Sequence, residues 1–179
     1  LLGASTGVQK TAISPDGKFI AIADARERLL IVDFADGLLL HSINVYPPHT
    51  GIGGIAFSPD GKQVITIKGA NYSESDKAWI IQDRNQGVKI WDVHDGKLLR
   101  SVTTGQLSVK QASWSHDGYA VAAIQSGNKS LFVFPAEQDS GTFLSHKIEM
   151  WDVRSVMFAA NVDLLAVLTG NKVLIYQKK

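Results

Sequence analysis

The chain has 179 residues, enough for one domain with a core, and it is 45% hydrophobic and 20% charged, values of a globular protein rather than of a disordered one. Its 18 Lys and Arg against 17 Asp and Glu give a net charge of +1; without a basic block there is no electrostatic footprint for DNA or RNA, and nucleic acid is not an expected partner. The absence of Cys excludes disulfides, thiolate metal sites and thiol nucleophiles, and the longest apolar runs, such as Leu38 to Leu40 and Val162 to Leu168, fall far short of the roughly 18 residues of a membrane helix.

The chain opens at Leu1 without a charged-then-apolar leader, so the compartment stays open, the cytoplasm being favoured over the periplasm. Gly3-Ala4-Ser5-Thr6-Gly7 matches the G-x-S-x-G nucleophile pattern. That chemistry needs a strand before the Ser and a helix after it; here nothing precedes and a strand follows, so no catalytic residue is expected. Next comes Thr11-Ala12-Ile13-Ser14-Pro15-Asp16-Gly17-Lys18, which returns as Ile55-Ala56-Phe57-Ser58-Pro59-Asp60-Gly61-Lys62 and as Ala112-Ser113-Trp114-Ser115-His116-Asp117-Gly118. A degraded fourth copy is Val156-Met157-Phe158-Ala159-Ala160-Asn161. Ile13, Phe57, Trp114 and Phe158 stand 44, 57 and 44 positions apart, a repeat in the range of stacked supersecondary units, with an insertion in the second.

Each copy is followed by an apolar run (Phe19 to Ala23, Val64 to Ile67, Tyr119 to Ile124, Leu164 to Leu168) and later by a second (Leu29 to Asp33, Val88 to Asp92, Leu131 to Phe134, Val173 to Tyr176). The turn residues between them, Pro-Asp-Gly first and Asp36-Gly37 or Asp95-Gly96 later, favour tight hairpins because Gly accepts positive φ and Asp bonds its own backbone. Each unit therefore reads as four antiparallel strands, a to d. The runs are too short for helices and apolar on consecutive residues, as in strands covered on both faces. Neighbouring units must stack to provide that cover. Predicted units are 8–44, 52–103, 109–148 and 153–177, the last without its outer strand.

On these residues the chain resembles the WD-repeat (WD40-like) β-propeller family over nearly its whole length. The second unit is the best match, running from Phe57-Ser58-Pro59-Asp60-Gly61-Lys62 to Val88-Lys89-Ile90-Trp91-Asp92-Val93, where Trp91-Asp92 closes strand c. Val32-Asp33, Val133-Phe134 and Ile175-Tyr176 replace that pair elsewhere. The Gly-His pair of the family is replaced by Pro47-Pro48-His49-Thr50-Gly51, so of its hydrogen-bond network Trp91 and Thr66 are what is left. Trp151-Asp152 precedes a strand a and is no equivalent of Trp91-Asp92. The resemblance implies an all-β fold of about four propeller blades and the role of a non-catalytic protein-interaction scaffold; the rival reading is the propeller portion of a larger enzyme or periplasmic assembly. Counting strand d backward from Ile13 leaves almost none of a closing strand, so the array is expected to have an open edge. That edge implies either half of a seven- or eight-bladed ring within a longer chain, or two copies assembling into one; direct four-blade closure ranks third.

Asp16, Gly17, Asp60, Gly61, Asp117 and Gly118 are read as structural turn positions, and Trp91 and Asp92 as structural repeat positions. The insertion lies in the second b-to-c connection, Lys68 to Gly87, and brings Tyr72, Trp79, Ile80 and Ile81 into a polar stretch; long loops and aromatic anchors both point to a partner surface. Tyr46, His49 and Trp151, in d-to-a connections, are further candidate partner contacts. The partner is another protein or a second copy. No cofactor is expected: Gly51-Ile52-Gly53-Gly54 leads into a strand rather than a helix N-terminus, and the five His show no metal-ligand spacing. Ser14, Ser58 and Ser115, at the strand a ends, are the polar groups that a ligand in a central channel would use.

Overall fold

The computed structural model describes residues 7–47, 50–69, 71–73, 78–80, 87–102, 109–125, 130–135, 146–149, 152–159 and 164–177. Among them every regular element is a β-strand. The first sheet is β1 (Val8–Ile13), β2 (Phe19–Asp24), β3 (Arg28–Asp33) and β4 (Leu39–Asn44), antiparallel and in chain order. The second comprises β5 (Ile52–Phe57), β6 (Gln63–Lys68), β9 (Val88–Asp92) and β10 (Leu98–Val102). Between its second and third strands, β7 (Asn71–Ser73) and β8 (Ala78–Ile80) pair as a separate two-stranded sheet. The third sheet is β11 (Val109–Trp114), β12 (Ala120–Gln125), β13 (Ser130–Pro135) and β14 (His146–Glu149). In the fourth, the described strands are β15 (Ser155–Phe158), β16 (Leu164–Thr169) and β17 (Lys172–Gln177).

The middle strands are built from aliphatic residues at consecutive positions, and both faces are covered: Leu29, Leu30, Ile31 and Val32 are all buried, as are Val64, Ile65, Thr66 and Ile67. Side chains on a strand alternate between faces, so such a run is stable only between two neighbours. The alternation also sets the joints. At each joint the last residue of the later sheet's first strand, Phe57, Trp114 or Phe158, points toward the preceding sheet, and the residue one before that position in the earlier sheet, Ala12, Ala56 or Ser113, points toward it. Phe57 accordingly joins Ala12, Ala21 and Ala23 in one core cluster. Trp114 joins Ala56 and Ile65 in the second, and Phe158 joins Ala122 in the third. A large ring is thus seated over small residues at every interior joint, and the first strand of each sheet packs on the first two strands of the sheet before.

Candidate functional site

The Ser-x-Asp-Gly elements fold identically. Ser14 Oγ donates to Asp16 Oδ1 at 2.7 Å, the same carboxylate oxygen accepts from Lys18 N at 3.1 Å, and Phe19 N donates back to Ser14 Oγ at 2.9 Å. Ser58, Asp60, Lys62 and Gln63 repeat the pattern at 2.6, 3.0 and 2.9 Å, and Ser115 Oγ donates to Asp117 Oδ1 at 2.5 Å. Gly17, Gly61 and Gly118 have φ of 73°, 72° and 76°, the left-handed conformation that glycine alone adopts without strain. The Ser14 and Lys18 hydrogen bonds hold the Asp16 carboxyl below its ordinary range. Partial burial pushes Asp60 upward, but the bonds from Ser58 and Lys62 outweigh it and the net shift is down. The serines are at most 3% exposed, and their hydroxyls are engaged in their own turns. Asp92 of the Trp-Asp pair closes the c-to-d turn, accepting from His94 N at 2.7 Å, as Asp33 does from Ala35 N at 2.8 Å.

One polar cluster spans two blades. Trp91 Nε1 donates to Thr66 Oγ1 at 2.9 Å, and the Tyr46 hydroxyl donates to the Thr66 carbonyl at 3.0 Å, with the Gly87 carbonyl at 3.4 Å. Lys89 Nζ donates to the Val45 carbonyl at 2.6 Å and lies over the rings of Tyr46, at 5.0 Å, and Trp91, at 5.9 Å. Tyr46 is 6% exposed and Lys89 9%. Burial raises the Tyr46 hydroxyl well above its ordinary range despite the Thr66 bond, which keeps it a neutral donor. Two residues from the connection after β4 are thereby tied to β6 and β9.

Tyr46, a candidate partner contact on sequence, is therefore corrected: its ring is a core element of the joint between the first two blades, because a buried hydroxyl with a backbone acceptor is satisfied there and apolar neighbours enclose the ring. Tyr72 lies on β7 opposite Trp79 of β8, with Ile80 opposite Asn71; for these six residues the backbone alone is described. His49, Ile81 and Trp151 lie outside the described residues. Lys89 is the member of the cluster that sequence reading missed; two positions before Trp91 on one strand, it had to share that residue's face. Among the described residues no group of three or more His, Cys, Asp or Glu is placed to hold a metal ion, and no helix is long and apolar enough to cross a membrane.

No protein-family model matches the chain. An uncharacterized WD repeat-containing protein of Synechocystis sp. (strain ATCC 27184 / PCC 6803 / Kazusa) is 22% identical over 132 residues, 74% of this chain and 32% of that protein. WD repeat-containing protein 1-B of Xenopus laevis is 29% identical over 93 residues, 52% of this chain and 15% of that one. Among solved structures, the Cps50 (Swd1) β-propeller domain of Myceliophteria thermophila matches with a TM-score of 0.71 at 15% identity, over 98% of this chain and 52% of its own. Hydrazine synthase of Kuenenia stuttgartiensis matches with a TM-score of 0.65 at 18% identity, over 96% and 51%. The chain spans a third or less of these curated relatives and about half of the solved chains. Its fold is a WD40-like β-propeller array.

Proposed function

We propose that this run of WD40-like blades is a non-catalytic protein-interaction scaffold, docking another protein through the b-to-c connection of its second blade and through its open outer sheet. The observation that carries the reading is the β7–β8 hairpin. It is the insertion that sets the second unit apart, it pairs with itself rather than extending the blade, and it brings Tyr72, Trp79, Ile80 and Ile81 into one connection. Its base is held firmly: Lys68 N donates to the Gly87 carbonyl at 2.8 Å, directly beside the Tyr46 cluster. A loop on a rigid scaffold needs to order little when it binds. His49 and Trp151, in the d-to-a connections, are further contacts in this reading, and relatives named for WD repeats support it.

A second reading, a propeller portion that positions or gates a catalytic domain, is favoured by one finding, the match to hydrazine synthase. A photo-crosslinking residue at position 79, introduced into the chain in its source cells, tests the first. The expected outcome is a defined protein adduct that disappears on replacement of Tyr72, opposite position 79 in the hairpin, by Asp while the melting profile is kept. An adduct that survives that replacement, or none at all, overturns the docking role; attachment to an enzyme subunit selects the second reading.

A further inference from the structure

The first strands of successive blades pack on one another, β1 on β5, β5 on β11 and β11 on β15, and each is the terminal strand of its sheet, so together they line the axis. A propeller keeps a channel there when its ring is complete, and these strand edges therefore stay open whatever flanks the first and last blades. At one end of the strands stand the Ser-x-Asp-Gly turns, with their hydroxyls engaged. The other end is irregular in a repeated way. β1, β5 and β11 each carry a β-bulge, at Gln9, Gly53 and Lys110, each four residues before Ile13, Phe57 or Trp114. Arg154 holds the same position before Phe158, immediately ahead of β15. A bulge takes its extra residue out of the ladder and re-aims it, and bulges concentrate beside functional sites.

The residues at this position and the next are Gln9-Lys10, Gly53-Gly54, Lys110-Gln111 and Arg154-Ser155. Three of the four blades contribute a cation and none a carboxylate, in a chain whose net charge is only +1, so positive charge is concentrated here. Lys10 is exposed and makes no ion pair among the described residues. Arg154 is held by its neighbour: Nε and one Nη donate to Asp152 Oδ2 at 3.2 and 3.0 Å, and its side chain stays 57% exposed with donors to spare. Asp152 adopts a left-handed φ of 54°, a conformation that costs a non-glycine residue energy and gathers at ligand clamps. Gly170 leaves room for that carboxylate, since a Cβ there would stand 2.5 Å from Asp152 Oδ2. In the second blade the glycines bring no side chain, so a bound chain can approach the backbone.

From the convergent strands, the repeated bulges and this charge we infer that this mouth of the axis binds an acidic peptide segment of a partner protein. Its carboxylates are shared among Lys10, Lys110 and Arg154, and its backbone runs past Gly53 and Gly54. β5 lies between β1 and β11, so several carboxylates along a chain reach all three cations where one small anion cannot. No aromatic residue occupies either position in any blade, which leaves a nucleic acid without the stacking platform that single strands use. The inference rests on the scaffold reading for there being a partner and names that partner's chemistry, at a site apart from the β7–β8 hairpin.

Fluorescence anisotropy of a labelled hexaglutamate peptide, titrated with the full chain at low ionic strength, is expected to show saturable binding that hexaglutamine does not give and that added salt weakens. Lys10→Gln, Lys110→Gln and Arg154→Gln should each weaken it about fivefold, the upper end for a partly exposed ion pair. Lys62→Gln removes the same charge from an exposed turn at the opposite end of β5 and should leave binding unchanged. Lys10 and Arg154 are exposed, so their variants should keep the wild-type melting profile. No binding of hexaglutamate, an equal loss in Lys62→Gln, or displacement by inorganic phosphate at the same concentration of charge overturns the site; tighter binding of hexauridylate assigns the mouth to nucleic acid and overturns it as well. None of these results touches the crosslink at position 79, whose loss would count against the hairpin and leave this site standing.

Discussion

Replacing Tyr46 separates a core residue from a surface one, because the two placements differ by several kcal/mol. Tyr46→Phe keeps the ring and its contact with Lys89 but removes the donor to the Thr66 carbonyl. A net hydrogen bond is worth about 1 kcal/mol, and leaving its buried acceptor unsatisfied brings the cost to about 1–3 kcal/mol. Tyr46→Ala also removes a ring that is 6% exposed; a cavity of that kind costs about 3–5 kcal/mol, against a total domain stability of about 5–15 kcal/mol. Stacked repeats lose stability locally, so the first blade should detach before the rest. Amide hydrogen exchange read by mass spectrometry, alongside urea unfolding, checks this: β2 and β3 should lose protection in Tyr46→Ala while β12 and β16 keep theirs, with Tyr46→Phe intermediate. Surface substitutions stay within about 0.5 kcal/mol. A Tyr46→Ala variant with wild-type exchange and midpoint would refute the buried placement.

Two further outcomes follow from the turns. Gly37 and Gly96 occupy equivalent c-to-d turns, each with φ of 70°, but a Cβ at Gly37 meets nothing within 4 Å whereas one at Gly96 meets the His41 ring at 3.0 Å. Gly37→Ala should cost about 1 kcal/mol for the left-handed backbone alone, and Gly96→Ala measurably more, since His41 is also held to the His94 carbonyl at 2.8 Å; equal losses of melting temperature would contradict the close approach. Asp16 and Asp60 have depressed pKa values in the folded chain, so the stability they lend is complete above the ordinary carboxylate range, near pH 4, and is lost as pH falls through their lowered values. Asp60→Asn should therefore lower stability at pH 7 and flatten the acid limb below pH 4, and an unchanged acid limb would remove Asp60 from the account.

The turns and strands were legible because their causes are local. Ser-x-Asp-Gly carries its own hydrogen bonds and its own positive φ, and it recurs, so Ser14, Ser58 and Ser115 announce three hairpins wherever the sheets go. Tyr46 was not legible. Followed by Pro47, it looks like a stiff aromatic turn, and nothing within its own segment names Thr66 or Gly87, which lie 20 and 41 positions away. The hairpin was half legible: excess spacing gave its limits, but the pairing of Tyr72 with Trp79 depends on a register that two three-residue segments specify weakly.

The joints between blades explain why a degenerate repeat still fixes its own order. Between the first two blades the contact is polar at its heart, with Lys89, Tyr46, Thr66 and Trp91 satisfying one another. Between the second and third, Trp114 occupies the ring position, and its buried Nε1 has no hydrogen-bond partner among the described residues, so that joint rests on shape. Between the third and fourth, Gln111 Nε2 reaches Ser155 Oγ and the Val156 carbonyl, both at 3.2 Å. The three solutions are not interchangeable. A Trp114-type face set against the first blade would leave Lys89 and Tyr46 without the groups they bind, and an unpaired buried polar group costs more than a methylene mismatch. Large rings over small residues let any blade stack on any other, and it is the polar departures from the repeat, at the first and third joints, that specify which neighbours meet.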